Sequence, residues 1–207
     1  METLGKRAFD NVAQNYLASF LKYNPSFAAH WGIKGFDFKP QSYSKQAIWT
    51  ECGDVEKAHL QLQKIDLRKL DAGRRLDYRV LKGSLEIDLH DIYNSNEKAI
   101  MSPEDFLPFQ TLDSLIQRDV PDLARKLRYR IKDSQRNLIQ AQQRLIEEEK
   151  YQPIEWAKTG ISACEDGLFL LTDILKNSKI RRSKLYPSLQ EEINLLRNVV
   201  GEYKDYL

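Results

Sequence analysis

The spacing of apolar residues is the feature that most limits what this chain can fold into. Apolar side chains recur at steps of three and four residues in nearly every segment, which is the repeat of an amphipathic α-helix. No segment alternates apolar and polar residues for long, as a half-buried strand would. The nine glycines and seven prolines cluster between the helical segments. This pattern predicts an all-α fold, an irregular bundle of about six to eight helices.

The length and composition are typical of a single globular domain. The chain has 207 residues, of which 42% are apolar, so its core needs no disulfide or metal to support it. We therefore expect one helical domain over residues 1–207. The two cysteines, Cys52 and Cys164, are far apart in sequence, which predicts buried reduced thiols and not a disulfide framework or a zinc site.

Helix breakers and caps divide the chain into predicted helices. Asn24-Pro25 ends the first helix, because a residue before proline disfavours the helical conformation. Gly53-Asp54 is a candidate interruption of the second. The predicted helices are, in order, residues 6–23 and those that begin near 44, after 73, at 121, at 153 and after Pro187; short helical turns are predicted at 26–31, from 102 and from 111. The third is expected to end at residues 94–96, and the longest at about Lys150.

Three helical surfaces follow from the apolar and charged positions. On the third predicted helix one buried side is expected, formed by Leu76, Val80, Leu85, Leu89 and Ile92. Residues 167–171 are apolar nearly all round and are expected to be central. The longest helix is expected to present a solvated basic face, formed by Arg125, Lys126, Arg128, Arg130, Lys132, Arg136 and Arg144.

The charge balance argues against a nucleic-acid partner. Lysines and arginines number 32 and acidic residues 30, so the net charge of +2 is too small to attract the whole protein to DNA. Acidic residues also interleave with the basic face of the longest helix. We therefore interpret that face as a solvent-exposed surface with internal ion pairs.

Few residues are available for metal or catalytic chemistry. The chain has three histidines, and the His-Glu-x-x-His motif of zinc peptidases is absent. A ferritin-like di-iron site requires two Glu-x-x-His motifs on facing helices. The chain has one such spacing, Glu56 with His59, and a looser pair, Glu86 with His90. These four residues are the candidate metal ligands. No catalytic residue and no cofactor are predicted.

Five groups of residues, in order along nearly the whole chain, resemble one bacterial family. They are residues 16–21 with Asn24-Pro25, Ala28 and the loop 32–37; Ile65-Asp66 with Leu70; residues 75–78 with Leu81; residues 115–119; and residues 128–138 with Gln140-Ala141. Together they are similar to the start of the family known as domain of unknown function 885. The loop of that opening ends in Phe36-Asp37 here, where the family has Tyr-Asp or Phe-Asp.

The resemblance implies a relation to zinc carboxypeptidase-like proteins of helical architecture. Members of that family are two to three times longer, and their His-Glu-x-x-His helix and third zinc ligand lie in the later part. Those catalytic residues have no matching positions here. The resemblance therefore implies a chain that corresponds to the N-terminal half and that covers, positions or docks, without hydrolysing.

The end of the last predicted helix suggests where a partner would bind. Val200, Tyr203, Tyr206 and Leu207 form an apolar helix end that is expected to need covering, and exposed apolar patches usually mark interfaces. The sequence thus favours a non-catalytic helical protein that binds or completes a protein partner. The partner would be a chain with the zinc-peptidase part or a second copy.

Two alternatives stay open at this point. In the first, the chain is one half of a split zinc peptidase whose metal site lies on another chain. In the second, it is a stand-alone bundle that binds a metal or a small ligand. Since no signal peptide and no apolar stretch of about 18 residues are present, we expect a cytoplasmic protein without membrane contact.

Overall fold

The computed structural model describes residues 2–94, 102–118, 120–148 and 153–207. Within these ranges it contains nine α-helices, two short 3-10 helices and no strand, which confirms the all-α prediction. The α-helices are α1 (Glu2–Tyr23), α2 (Pro25–His30), α3 (Lys45–Gln63), α4 (Ala72–Asn94), α5 (Phe109–Gln117), α6 (Leu123–Glu148), α7 (Ile154–Lys176), α8 (Ser178–Arg181) and α9 (Tyr186–Tyr206). The 3-10 helices are Leu67–Lys69 and Pro103–Phe106.

Some sequence predictions fall on positions outside this description. The helix ends expected at residues 94–96 and at about Lys150 extend beyond the described ranges, and Asp119 of the family resemblance also lies outside them. The side chain of Ile92, expected to be buried, is likewise not among the described ones. These predictions stay as they are.

The contacts between helices divide the chain into two compact units, a finer division than the single domain expected from the sequence. Unit 1 consists of Met1–Tyr23 and Lys45–Ile100, and unit 2 consists of Asn24–Ser44 and Met101–Leu207. Each unit has its own cluster of buried apolar side chains. The segment between α1 and α3 therefore belongs to the unit formed by the second half of the chain.

Unit 1 is a bundle of α1, α3 and α4. Its core consists of Phe9, Val12, Val55, Ala58, Leu62, Leu70, Tyr78 and Leu85. The interruption considered at Gly53-Asp54 does not occur, and α3 is continuous from Lys45 to Gln63. The Asp54 carboxylate accepts hydrogen bonds from the Ser19 hydroxyl at 2.7 Å and the Tyr23 hydroxyl at 3.1 Å, so it ties α3 to α1.

Polar contacts hold α4 against α1 as well. The Arg74 guanidinium donates two hydrogen bonds of 2.8 Å to the Asp10 carboxylate. Asp71 caps α4, since its carboxylate accepts a 2.9 Å bond from the Arg74 backbone N–H. This backbone bond, aided by the Arg74 and Lys6 side chains, lowers the pKa of Asp71 to about 2. Further along, the Tyr16 hydroxyl donates to Asp88 at 2.9 Å.

Unit 2 is built around the packing of α6 against α9, and α7 also packs against α9. The apolar spacing of the longest helix predicts a buried side formed by Leu123, Leu127, Ile131, Leu138, Ala141 and Leu145. The prediction is confirmed at all of these positions except Leu123, which is half-buried. The facing positions of α9 are fully buried as well: Leu189, Ile193, Leu196, Val200 and Tyr203. Steps of three and four residues on both helices place these side chains on one face each.

One expectation about α7 is wrong. Leu171 is fully buried, but Phe169, expected to be central with it, is 72% exposed. Only the side of α7 that includes Gly167 and Leu171 packs inward. A Cβ added at Gly167 would lie 1.9 Å from the Phe109 ring, so this ring rests directly on the helix backbone. Phe169 lies on the opposite side of the helix and faces solvent.

The long basic helix also differs from its predicted solvated face at two positions. Arg130 and Arg144 are buried, with 2% and 4% of their surface exposed. The Arg130 guanidinium donates hydrogen bonds to the carbonyl oxygens of Pro25, Phe36 and Lys39, at 3.3 Å for Pro25 and 2.9 Å for Lys39. Burial lowers the pKa of Arg130. These contacts explain why residues 24–44 belong to unit 2.

Asp133 completes this arrangement one turn along α6. Its carboxylate lies 3.7 Å from the Arg130 guanidinium and accepts a 2.9 Å hydrogen bond from the Gln41 backbone N–H. Arg136 donates to the same carboxylate at 2.6 Å. The buried charges of Arg130 and Asp133 thus face each other and the backbone of the segment that they hold.

Substitution by alanine at two helical glycines should have opposite effects on the free energy of unfolding. Gly53→Ala should raise the free energy of unfolding by about 1 kcal/mol, because a Cβ there meets no described atom within 4 Å and alanine favours helix. Gly167→Ala should lower it by about 1–3 kcal/mol, because the Phe109 ring must move. Denaturant unfolding followed by circular dichroism measures both. Equal effects of the two substitutions would contradict the packing described for Phe109.

Removal of the Arg130 side chain should destabilise unit 2 strongly. Arg130→Ala leaves the buried Asp133 carboxylate and three loop carbonyls without this donor, a loss expected to cost about 3–5 kcal/mol. Arg182→Ala, at an exposed position, is the matched control and should change stability by less than about 0.5 kcal/mol. Similar denaturation midpoints for the two variants would show that Arg130 does not hold the loop.

Candidate functional site

Helix α4 has two apolar faces, and only one of them is buried. Tyr78 and Leu85 point into the core of unit 1, with exposed fractions of 9% and 0%. Leu76, Val80 and Ile87 are 61%, 63% and 64% exposed. At about 100° per residue, these three side chains lie on the side of the helix opposite Leu85. Large apolar residues are common singly on surfaces, but their alignment along one face needs an explanation.

The exposed residues follow the spacing of a helix–helix seam. Leu76, Val80, Gly83 and Ile87, here called the α4 stripe, are separated by steps of four, three and four residues. This alternation is the heptad pattern with which two helices pack side by side. Gly83 has no side chain, so the middle of the α4 stripe is low and admits close approach of another helix.

Charged residues border the α4 stripe on one edge. Arg79 and Glu86 are both exposed and lie on the same edge, seven residues apart. The opposite edge has Asp77 and Ser84, which are exposed too. Glu86 makes an exposed ion pair of 3.4 Å with Lys82 on its own helix. These edge positions are the ones that select partner and orientation when helices pair.

The α4 stripe is not apparent from the apolar spacing alone, because a single buried side that runs from Leu76 to Ile92 merges the two faces of α4. Leu76 and Val80 were expected to be buried together with Leu85, which is wrong. The step from Val80 to Leu85 is five residues, and this rotates the second side chain by about 140° from the first. That irregular step was the signal, since a single stripe contains only steps of three and four residues.

The surface predicted at the end of the last helix is largely buried. Val200 and Tyr203 have 0% and 1% of their surface exposed, so the expectation that they are uncovered is wrong. The Tyr203 hydroxyl donates a 2.9 Å hydrogen bond to the Pro103 carbonyl. Tyr206 and Leu207 are half-buried and pack against the same core. The apolar pattern of α9 is satisfied within unit 2, because α6 and α7 cover it.

The candidate metal ligands are not assembled into a site. Glu56 and His59 are half-buried on α3, where a ring nitrogen of His59 lies 3.4 Å from the Gln63 amide. Glu86 and His90 are exposed on α4. Across the described ranges, no three histidine, cysteine or acidic side chains are grouped as metal ligands.

Unit 2 contains a cavity of about 270 Å³ with both polar and apolar lining. Its polar lining includes His30, Gln41, Tyr43, Asp105, Ser134 and Asn137. Several of these groups already hold the structure together. The Ser134 hydroxyl donates to the Arg130 carbonyl at 2.6 Å, and the Gln41 side chain accepts from the Ser26 N–H at 3.3 Å. Ser134 is therefore not directed at His30 as a nucleophile would be directed at its base.

Two further basic residues of α6 are paired with acids on other elements of unit 2. Lys126 lies 2.7 Å from Asp37, and Lys132 lies 2.8 Å from Glu192. Ion pairing of this kind fits the interpretation of a helix surface with internal charge balance. Cys52 and Cys164 are both buried and belong to no disulfide, as predicted.

Known proteins give no further guide to this chain: no family model, curated protein or solved structure matches it. The resemblance to the domain of unknown function 885 therefore stays a prediction that the quoted residues alone support. Within the described part of the chain, no helix has the length and apolar character needed to cross a membrane.

Substitutions on the two faces of α4 should have opposite consequences for stability. Val80→Glu should leave the melting temperature nearly unchanged, because the side chain is 63% exposed. Leu85→Glu should unfold unit 1, because it places a carboxylate in the core at a cost of several kcal/mol. Thermal unfolding followed by circular dichroism separates the two cases. Unfolding by Val80→Glu would mean that the α4 stripe is core.

Proposed function

We propose that this chain is a non-catalytic helical protein that acts by binding a protein partner through the α4 stripe. The observation that carries the proposal is the exposure of Leu76, Val80 and Ile87, each above 60%, on one face at heptad spacing. Covering apolar surface is the main driving force of protein association. A helix that presents the complementary seam is the partner that this spacing fits.

The shape of the α4 stripe supports a helical partner. Apolar side chains flank the low position at Gly83, and the edges of the stripe are charged or polar. Interfaces commonly have this organisation, with an apolar centre inside a polar rim. A helix laid along α4 would cover all three large side chains at once.

The resemblance to zinc carboxypeptidase-like proteins adds a second support. It implies a chain that corresponds to the non-catalytic half, whose contribution would be to bind or complete another protein. A cytoplasmic location is part of the same proposal. Its support is that Cys52 and Cys164 are thiols outside any disulfide, as is usual in reducing compartments.

Site-specific photo-crosslinking in the native cells tests the proposal. A photoreactive amino acid at position 80 or 87 should give a covalent protein adduct, because both side chains lie in the proposed contact. The same amino acid at Lys57, exposed on α3, is the control and should give none. Leu76→Asp, on the same stripe, should abolish the adduct formed at position 87.

The outcome that contradicts the proposal is equally defined. It is the absence of an adduct at both positions 80 and 87, or an adduct that forms equally at Lys57. An adduct that persists in the Leu76→Asp chain would also place the contact elsewhere.

A further inference from the structure

We infer that the partner on the α4 stripe is a second copy of this chain, with the two α4 helices antiparallel across a twofold axis. The inference rests on the proposed function and specifies its partner. Symmetric dimers are the commonest assemblies of soluble proteins, and they require a surface that is complementary to itself. The α4 stripe meets that requirement in its apolar residues and in its charges.

The apolar residues match in the antiparallel arrangement. A twofold axis midway between Leu76 and Ile87 places Leu76 opposite Ile87 of the second copy, and the reverse. The same axis places Val80 opposite Gly83 of the second copy. Each large side chain therefore faces either another large side chain or the space that a glycine leaves.

Gly83 fits this role because its own unit does not need the space around it. A Cβ built at Gly83 meets no atom within 4 Å among the described residues. Glycine in a helix interior costs about 1 kcal/mol relative to alanine, so its presence there is unfavourable for the isolated helix. The Val80 side chain of a second copy would fill the space beside Gly83.

The charges bordering the stripe also match. The twofold axis keeps the same edge of both helices on one side, so Arg79 lies beside Glu86 of the second copy, offset by two residues or roughly 3 Å along the helices, and the axis repeats this pair. Both side chains are exposed, and the present pair of Glu86 with Lys82 is of the exposed kind that contributes little. Glu86 can therefore exchange Lys82 for Arg79 of the second copy at small cost.

A parallel pair of α4 helices would not have these advantages. Arg79 would then face Ser84 of the second copy instead of an acid, and Gly83 would face Gly83, which leaves a gap in the seam. The pattern of charge and size thus distinguishes the two orientations.

Sedimentation equilibrium of the full chain over a dilution series tests the inference. The unaltered chain should be in reversible monomer–dimer equilibrium, and Val80→Glu should remove the dimer. Arg79→Glu and Glu86→Arg should each raise the dimer dissociation constant about tenfold, because each places two pairs of like charges opposite one another. Lys57→Glu, a charge reversal at an exposed position of α3, should have no effect.

Mixing the two single variants gives the decisive result. In a dimer of one Arg79→Glu chain and one Glu86→Arg chain, both edge pairs join opposite charges, so the mixture should associate as the unaltered chain does. The double variant Arg79→Glu/Glu86→Arg should also recover. Circular dichroism of each variant verifies that unit 1 stays folded.

Three results would overturn the inference. They are a monomer at every concentration, a dimer unaffected by Val80→Glu and Arg79→Glu, and single variants whose mixture does not recover. If the chain is a monomer but still forms the adduct at position 80 with a different protein, the inference of a second copy as partner is wrong. The proposed function is then unaffected. Loss of both the dimer and the adduct overturns both.

Discussion

A helix in a three-helix unit can bury one face, and α4 has two apolar faces. The face with Tyr78 and Leu85 packs against α1 and α3, where it completes the core of unit 1. The face with Leu76, Val80 and Ile87 is left in solvent. Covering exposed apolar surface is favourable and drives association. This exposed face of α4 is therefore the part of the molecule on which the proposed function rests.

The second constraint is the buried charge of Arg130. A guanidinium with 2% of its surface exposed requires acceptors on several sides, and the backbone carbonyls of residues 25–39 supply them. The loop that follows α1 is therefore held by a helix about a hundred residues later in the chain. This explains why the chain leaves unit 1 at Tyr23 and returns to it at Lys45.

These two constraints give the units different characters. In unit 2 several polar groups beside the cavity, among them Gln41 and Ser134, form hydrogen bonds that hold residues 24–44 and α6 in place. The apolar end of α9 is covered within the same unit. In unit 1 the hydrogen bonds of Arg74 and Asp88 join α4 to α1, while the large side chains of the α4 stripe stay exposed.

The sequence by itself determined the helical class, most helix boundaries and the buried side of α6, because a repeat of three and four residues requires only local geometry. Only the tertiary structure decided which of two apolar faces is buried. Val80 and Leu85 are equally apolar, and so are Phe169 and Leu171; in each pair the neighbouring helix covers one and not the other. The burial of Arg130 and of Val200 was likewise decided by tertiary contacts. A charge looks solvated and a helix end looks uncovered until the distant segments that contact them are known.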